Sequence, residues 1–172
     1  MEDLDTITNF SRPTPEIYTG GQPTPDEITA LGKAGFQIVI NLAMANSPNA
    51  LPDEQQLVQE AGMAYVHIPV EWEAPAKEDL LKFISFFQQY HAFKIFTHCV
   101  LNMRVSVFIF LYRVIVEKAP AEACWPAVLK IWQPNEVWQQ FIEKMLHDVT
   151  PPSGDLGWQF DWNNSTSDGD VP

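Results

Sequence analysis

Short apolar runs alternate with amphipathic segments along most of the chain. Apolar or extended runs too short for helices predict strands at residues 16–19, 37–42, 64–69 and 93–98. Apolar spacing, caps and breakers predict helices at about residues 25–34, 52–59, 76–90, 103–117, 120–132 and 134–147. Strands that alternate with helices form a mostly parallel sheet covered on both faces. The pattern therefore predicts a three-layer α/β fold around a central sheet of about four or five strands.

Local signals fix several of the predicted helix ends. Thr24 is predicted to cap the first helix, because Glu27 follows at the spacing of a capping box. Gly35 is a natural stop for the same helix. Pro126 lies inside the predicted helix at residues 120–132 and is expected to bend or break it.

The segment of residues 105–116 is almost wholly apolar. Arg104 and Arg113 bracket it too closely for the ~20 apolar residues that a membrane-spanning helix requires. Its content of Val, Ile and Phe would also suit a strand, so periodicity alone leaves both structures open. We interpret it as a helix buried in the centre of the domain.

The chain has 172 residues, for which one domain is the usual expectation. We expect this domain at residues 1–149, followed by an acidic tail at residues 150–172 that contains Pro, Gly and Ser. Three aromatic residues of the tail, Trp158, Phe160 and Trp162, are expected to pack on the domain or on a partner chain. The oligomeric state stays open.

The formal net charge of −12 argues against nucleic acid or an anionic membrane as a partner. Two cysteines, Cys99 and Cys124, do not form a disulfide scaffold, which favours a reducing compartment. The N-terminal residues show neither the basic nor the apolar region of a signal peptide, so a cytoplasmic location is expected.

The candidate chemistry lies where a predicted strand ends in His98 and Cys99 and a helical pattern begins directly beyond. A cysteine in this position is surrounded by unpaired backbone amides at the positive end of a helix dipole. This setting favours a nucleophilic thiolate and forms a cradle for a tetrahedral anion. Arg104 adds a planar fork of donors. The alternative is that Cys99 is a buried apolar residue, which is the interpretation that we favour for Cys124.

This segment resembles the signature loop of the cysteine-dependent protein phosphatases, especially their dual-specificity and tensin-like branch. The pattern in that family is His-Cys, two residues, Gly, two residues, Arg, and then Ser or Thr. In this chain four residues instead of five separate Cys99 from Arg104, and Asn102 stands where the glycine is expected. The residue after the arginine is Val105, and a hydroxyl comes only at Ser106. Asparagine is the best substitute for glycine where the backbone needs a positive φ.

The wider chain, over about residues 10–147, is similar to a bacterial family of phosphatase-like proteins. The similarity is carried by four segments in this order: Gly21-Gln22-Pro23, Val39-Ile40-Asn41-Leu42, His67-Ile68-Pro69-Val70 and His98-Cys99. It implies a dual-specificity-phosphatase-like fold and hydrolysis of a phosphate monoester through a phosphocysteine intermediate.

In this interpretation Cys99 is the nucleophile, and His98 orients it by hydrogen bonds. The phosphate group would be bound by Arg104, by His98 and by residues of the loop, which are Val100, Leu101, Asn102, Met103, Val105 and Ser106. The substrate would be a phosphorylated protein or a small phosphate ester. No metal or other cofactor is expected, because no histidines recur at the spacing of metal ligands.

The general acid is less well defined. In the tensin-like branch an aspartate lies on the loop after the strand that corresponds to residues 64–69, and the same position in this chain holds Trp72. Its neighbours Glu71 and Glu73 are candidate acids, since loops that follow parallel strands converge at one edge of the sheet. The alternative is that both are solvated loop charges.

Two other functions fit the same loop. The four-residue spacing between Cys99 and Arg104 also resembles the active loop of rhodanese-like sulfurtransferases, which carry a persulfide on cysteine. A non-catalytic module that keeps the cradle and binds a phosphorylated partner would explain both the shortened loop and the missing aspartate.

Overall fold

The computed structural model describes residues 4–149 and, beyond them, Phe160 and Trp162. The strands in this part of the chain are β1 (Ser11–Thr14), β2 (Ile17–Gly20), β3 (Ile38–Asn41), β4 (Ala64–His67) and β5 (Ile95–His98). The helices are α1 (Pro25–Lys33), α2 (Glu54–Glu60), α3 (Lys77–Gln89), α4 (Met103–Ile115), α5 (Ala121–Leu129) and α6 (Glu136–Val149), and a short 3₁₀ turn covers Leu4–Thr6.

The five strands form one sheet in the order β1-β2-β5-β3-β4. Every neighbouring pair is parallel except β1 and β2, which form an antiparallel pair at one edge. The α/β prediction with a mostly parallel sheet is therefore confirmed. The sequence reasoning missed β1, because its polar residues and Pro13 carry no strand pattern of their own.

Successive residues of the central strands face opposite sides of the sheet, and each side is covered by helices. On β3, Val39 packs in a cluster with Ile28 of α1 and Val58 of α2. Its neighbours Ile38 and Ile40 belong to the larger cluster on the other face, which includes residues of α3, α4, α5 and α6. This arrangement confirms the predicted layers.

Helix α4 lies at the centre of the larger cluster. Val105, Val107 and Phe108 are fully buried, as expected for a helix that is apolar on all sides. The prediction of a buried helix rather than a strand is confirmed. Within residues 4–149, no helix has both the length and the apolar character needed to cross a bilayer.

The two local signals predicted at the ends of α1 are confirmed, whereas the break predicted at Pro126 is not found. The Thr24 hydroxyl accepts a bond from the amide of Glu27, and the Glu27 carboxylate accepts one from the amide of Thr24, so the capping box is complete. Gly35 has a φ of 83° just after α1. Pro126 does not break α5, which continues to Leu129. Proline has no amide hydrogen, so one backbone hydrogen bond to a carbonyl in the first turn of α5 is missing. Because this turn lies at the end of the helix, the loss disrupts little of it.

Two aromatic residues of the tail pack on the domain. The ring of Trp125 in α5 lies 4.9 Å from that of Phe160 and 5.5 Å from that of Trp162. The Trp162 indole also donates a 2.7 Å hydrogen bond to the carboxylate of Glu143. Trp158 lies outside the described residues.

We predict that Thr24→Ala lowers the free energy of unfolding by about 1 kcal/mol, because the amide of Glu27 in the first turn of α1 loses the hydroxyl that caps it. Thr24→Ser keeps the hydroxyl and should cost less. Urea unfolding monitored by circular dichroism would measure both changes. Equal destabilisation by the two substitutions would contradict a capping role for the hydroxyl.

Candidate active site

The loop between β5 and α4 presents a run of backbone amides without protein partners. The amide of Cys99 faces the carbonyl of Gly20 at 3.4 Å, and the amide of Ser106 is bonded to the carbonyl of Asn102 at 2.9 Å. Among the described residues, none of the amides of residues 100–105 that lie between these two makes a hydrogen bond to a protein acceptor. Unpaired amides at the start of a helix attract an anion.

Asn102 provides the backbone conformation that turns the chain from the strand into the helix. Its φ of 65° lies in the left-handed region, as predicted from its resemblance to the glycine position. The side chain is buried and donates bonds to the Asn9 carbonyl at 2.8 Å and to the Thr19 hydroxyl at 3.0 Å. Asparagine therefore provides both the turn and its attachment to the neighbouring strand.

The carbonyl groups of the loop face the protein, which directs the intervening amides the other way. The Val100 carbonyl accepts a bond from the Gln22 amide at 2.9 Å, and the Leu101 carbonyl accepts one from the Asn9 side chain at 3.0 Å. In a trans peptide the carbonyl and the following amide point in opposite directions. The amide of Leu101 is therefore directed away from Gln22, which holds the loop.

Glycine is required at position 21, where the chain leaves β2 and passes close to the cysteine loop. A Cβ atom on Gly21 would lie only 2.6 Å from the Val100 carbonyl oxygen. Gly21 and Leu101 also form an isolated antiparallel bridge. The close approach explains why the Gly-Gln-Pro segment accompanies the cysteine loop in this chain.

Cys99 lies at an open pocket of about 380 Å³. The residues that line this pocket are Ser47, Pro48, Asn49, Trp72, Cys99, Val100, Leu101, Met103 and Arg104. Cys99 lines this pocket but is fully buried as a residue, so it is shielded from bulk solvent. Arg104 is the one charged side chain among these lining residues.

Arg104 is held in place from two sides. Its Nε donates a 2.9 Å bond to the carbonyl of Val70, and its guanidinium carbon lies 5.2 Å from the ring centre of Trp72. Among the described residues no acceptor faces its two terminal nitrogens, which remain available to an oxyanion. The indole nitrogen of Trp138 donates a 3.0 Å bond to the carbonyl of Trp72, which fixes the loop that carries both contacts.

His98 belongs to a buried polar network behind the cysteine. Its Nε2 lies 2.6 Å from the Glu54 Oε1, a close contact that is not aligned as a hydrogen bond. Its Nδ1 lies 3.2 Å from the carbonyl oxygen of Cys99. The second carboxylate oxygen of Glu54 accepts bonds from Asn41 at 3.0 Å and from the Tyr65 hydroxyl at 3.4 Å. His98 thus connects the cysteine backbone to α2, β3 and β4.

Comparison with known proteins identifies the family of this chain. The family model described as "DSP-PTPase phosphatase fused to NAD+ Kinase" matches residues 6–132. The chain belongs to this dual-specificity phosphatase family. A search of the curated protein sequences found no match.

Solved structures agree with this assignment. The crystal structure of a protein from Shewanella putrefaciens CN-32, named "Putative phosphatase", is 31% identical with a TM-score of 0.76, and the match covers 86% of this chain and 97% of that one. PTPMT1 in complex with PI(5)P has a TM-score of 0.69 at 16% identity, with coverage of 82% and 96%. The PP-IP phosphatase SIW14 of S. cerevisiae has a TM-score of 0.65 at 18% identity, with coverage of 80% and 85%. At such low identity these last two similarities establish the fold alone.

Several residues expected to serve phosphatase chemistry lie elsewhere in the structure. Glu71 and Glu73 are exposed and do not line the pocket, whereas Trp72 between them does. This placement agrees with the alternative from the sequence, in which both glutamates are solvated loop charges.

Ser106 also departs from its expected role. Its hydroxyl donates a 2.7 Å bond to the carbonyl of Met103 and accepts a 3.1 Å bond from the indole nitrogen of Trp132. Its amide is used within the helix turn as well. Ser106 is therefore a packing residue of α4 and is not available to phosphate. The buried side chain of Val105 leaves only its amide as a candidate donor.

The sequence reasoning did not find Glu54 and Tyr65. Glu54 and Val58 are four residues apart and are the two buried residues of α2, so the spacing alone places Glu54 on the core-facing side of this helix. A carboxylate on the core-facing side of a helix indicates a buried polar partner, because an unpaired buried charge is unfavourable. That partner, His98, lies far away in the sequence and only the fold shows it.

We predict a pH effect from Tyr65. Burial raises the pKa of Tyr65 to about 12, and the negative charge of Glu54 acts in the same direction while the bond from Asn41 opposes it. The neutral phenol is thus favoured in the folded state, so stability present below pH ~10 should be lost as the pH rises towards ~12. Tyr65→Phe should remove this component, which urea unfolding at several alkaline pH values would measure. Tyr18→Phe is the control, and an equal alkaline loss in wild type and Tyr65→Phe would contradict the assignment.

Proposed function

We propose that this protein is a cysteine-dependent phosphatase that hydrolyses a phosphate monoester through a phosphocysteine intermediate at Cys99. The observation that supports this best is the run of unpartnered amides at residues 100–105 around a pocket that also contains Cys99 and Arg104. Membership of the dual-specificity phosphatase family supports the reaction class. The proposed substrates are phosphorylated proteins or small phosphate esters.

In the first step the Cys99 thiolate attacks phosphorus. The amides of the loop and the terminal nitrogens of Arg104 hold the equatorial oxygens of the phosphoryl group, on which charge is spread in the transition state. Donors fixed before the reaction are effective because they need no reorganisation when this charge develops. In the second step a water molecule attacks the phosphocysteine, and the sulfur leaves as a thiolate.

The negative net charge of the protein makes the loop amides and Arg104 more important for binding phosphate. With a net charge of −12, the protein as a whole repels a phosphate group. Binding must therefore come from the loop amides and from Arg104 at short range. His98 acts as a positioning residue in this proposal, since it contacts the carbonyl of Cys99 and does not line the pocket.

A sulfurtransferase remains the second candidate, and one observation favours it. Four residues separate Cys99 from Arg104, which is the spacing that resembles the rhodanese loop. Transfer of sulfur from thiosulfate to cyanide, measured on the same preparation, would separate this activity from phosphate ester hydrolysis.

We predict that Cys99→Ser abolishes hydrolysis of p-nitrophenyl phosphate but preserves binding of oxyanions. The thiolate is lost, whereas the amides and Arg104 remain, so phosphate or tungstate should still raise the melting temperature. Cys124→Ser is the matched control, since Cys124 is the other buried cysteine and lies in α5 outside this pocket. Hydrolysis that survives in Cys99→Ser, or is lost in Cys124→Ser, would contradict the proposed nucleophile.

We predict that Arg104→Lys lowers kcat for the same substrate by about 10²-fold or more, the usual effect of removing a donor to a transition-state oxyanion. Lysine keeps the charge but loses the planar fork and the anchoring bond from Nε to Val70. Arg113→Lys at the other end of α4 is the matched control, because Arg113 pairs with Glu117 and does not line the pocket. Comparable activities of the two lysine variants would argue against a role for Arg104 in the transition state.

A further inference from the structure

The loop after β4, on which the resemblance to the tensin-like branch places the general acid, contributes the indole of Trp72 to the pocket. In an in-line displacement the leaving oxygen lies on the side of phosphorus opposite to the attacking sulfur, which here is the mouth of the pocket. Trp72 enters the lining of this pocket from the loop after β4 and packs against the guanidinium of Arg104, and we infer that it faces the leaving group. An indole nitrogen is a donor only and does not release a proton at neutral pH.

The tertiary packing holds Trp72 in this place. Its ring lies 5.2 Å from that of Trp132 and 5.5 Å from that of Trp138, and Trp138 also donates a bond to its carbonyl. The three tryptophans form a tryptophan cluster that joins the loop after β4, the connection between α5 and α6, and α6 itself. This packing opposes a rearrangement in which Trp72 leaves and Glu71 or Glu73 enters.

The remaining pocket residues cannot supply the proton either. No carboxylate, imidazole or lysine lines the pocket among the residues that the structure describes. The polar side chains near the mouth are Ser47 and Asn49, which are neutral and do not act as acids at physiological pH.

We propose that the leaving group departs as an anion, without a proton from the protein, so that the substrates are phosphate monoesters whose leaving oxygen is weakly basic. This inference rests on the phosphatase reaction proposed above. In the first step the S–P bond forms while the P–O bond breaks, and the electron pair of the latter stays on the departing oxygen. In the second step the oxygen of water bonds to phosphorus, the S–P electron pair returns to Cys99, and the proton of water passes to the released phosphate.

The lining of the pocket fits this substrate class. Pro48, Trp72, Leu101 and Met103 offer apolar walls to an aromatic or hydrocarbon group attached to the phosphate. Of the ten lysine and arginine residues in the sequence, all of which lie within residues 4–149, only Arg104 lines the pocket. A second phosphate on the substrate would find no counter-charge there, so the pocket selects a single phosphate on an apolar leaving group.

The test uses the wild-type protein and a series of aryl phosphates whose phenols range from strongly to weakly acidic. Without protonation the full charge develops on the leaving oxygen, so kcat/KM should fall several-fold for each unit by which the phenol becomes more basic. The ratio kcat/KM is the appropriate measure because it includes formation of the phosphocysteine but not its hydrolysis. This arm requires no variant.

A second arm introduces the missing acid. Trp72→Asp should flatten the dependence on the leaving group, with a gain that grows as the phenol becomes more basic. A well-placed acid contributes about 10²- to 10⁴-fold, so a gain of about tenfold is expected even from an imperfectly placed one. The gain should disappear as the pH rises through the titration of the new carboxyl group. Trp72→Asn, of equal size but without a proton to give, is the matched control and should keep the steep dependence.

Each outcome of these arms either supports or overturns the inference. A flat dependence in the wild type would overturn it, as would a slope that becomes steeper in Glu71→Gln or Glu73→Gln, since a loop glutamate would then be the acid. Equal slopes for Trp72→Asp and Trp72→Asn would also count against the placement of the leaving group at residue 72. In these cases turnover still depends on Cys99, and the proposed phosphatase function stands. If no member of the series shows turnover that depends on Cys99, the proposed function itself fails.

Discussion

The structure depends on one backbone constraint, the turn at which β5 passes into α4 while a run of peptide amides stays unpaired. Buried amides normally find acceptors, so a loop that keeps several of them open is stable only if other contacts enforce its shape. The left-handed residue Asn102 makes the turn, and its side chain is bonded to the Asn9 backbone and to Thr19. Because β2 lies beside β5 in the sheet, the same contacts bring the segment before the first helix into the site.

The polar network behind the cysteine supports this turn from the opposite side. Burial of a carboxylate beside an imidazole is unfavourable unless further hydrogen bonds compensate for lost hydration. Asn41 and Tyr65 provide these bonds to Glu54, while His98 connects the carboxylate to the backbone of Cys99. The sheet therefore does more than place the loop, because three of its strands contribute atoms that fix the carbonyl group preceding the first free amide.

The sequence predicted those features that depend on local spacing. The alternation of strands and helices, the cap at Thr24 and the left-handed conformation of Asn102 follow from residues within a few positions of each other. Contacts between residues that are distant in the sequence could not be predicted from this spacing. No residue near Glu54 in the sequence indicates that its partner is a histidine. The hydroxyl of Ser106 was predicted to contact the phosphate, but in the structure it is bonded to the indole of Trp132. The orientation of Trp72 is also decided by distant tryptophans, so the character of the pocket mouth could not be inferred from spacing.

The burial of Cys99 has a consequence for oxidative damage. A thiolate exposed to peroxide becomes a sulfenic acid, which many enzymes protect by condensation with a neighbouring thiol. The sequence contains two cysteines, and Cys124 lines a different cavity, together with Phe110 and Arg113. A sulfenic acid at Cys99 thus has no resolving thiol within its own pocket, so its condensation to a disulfide requires an external thiol small enough to enter that pocket.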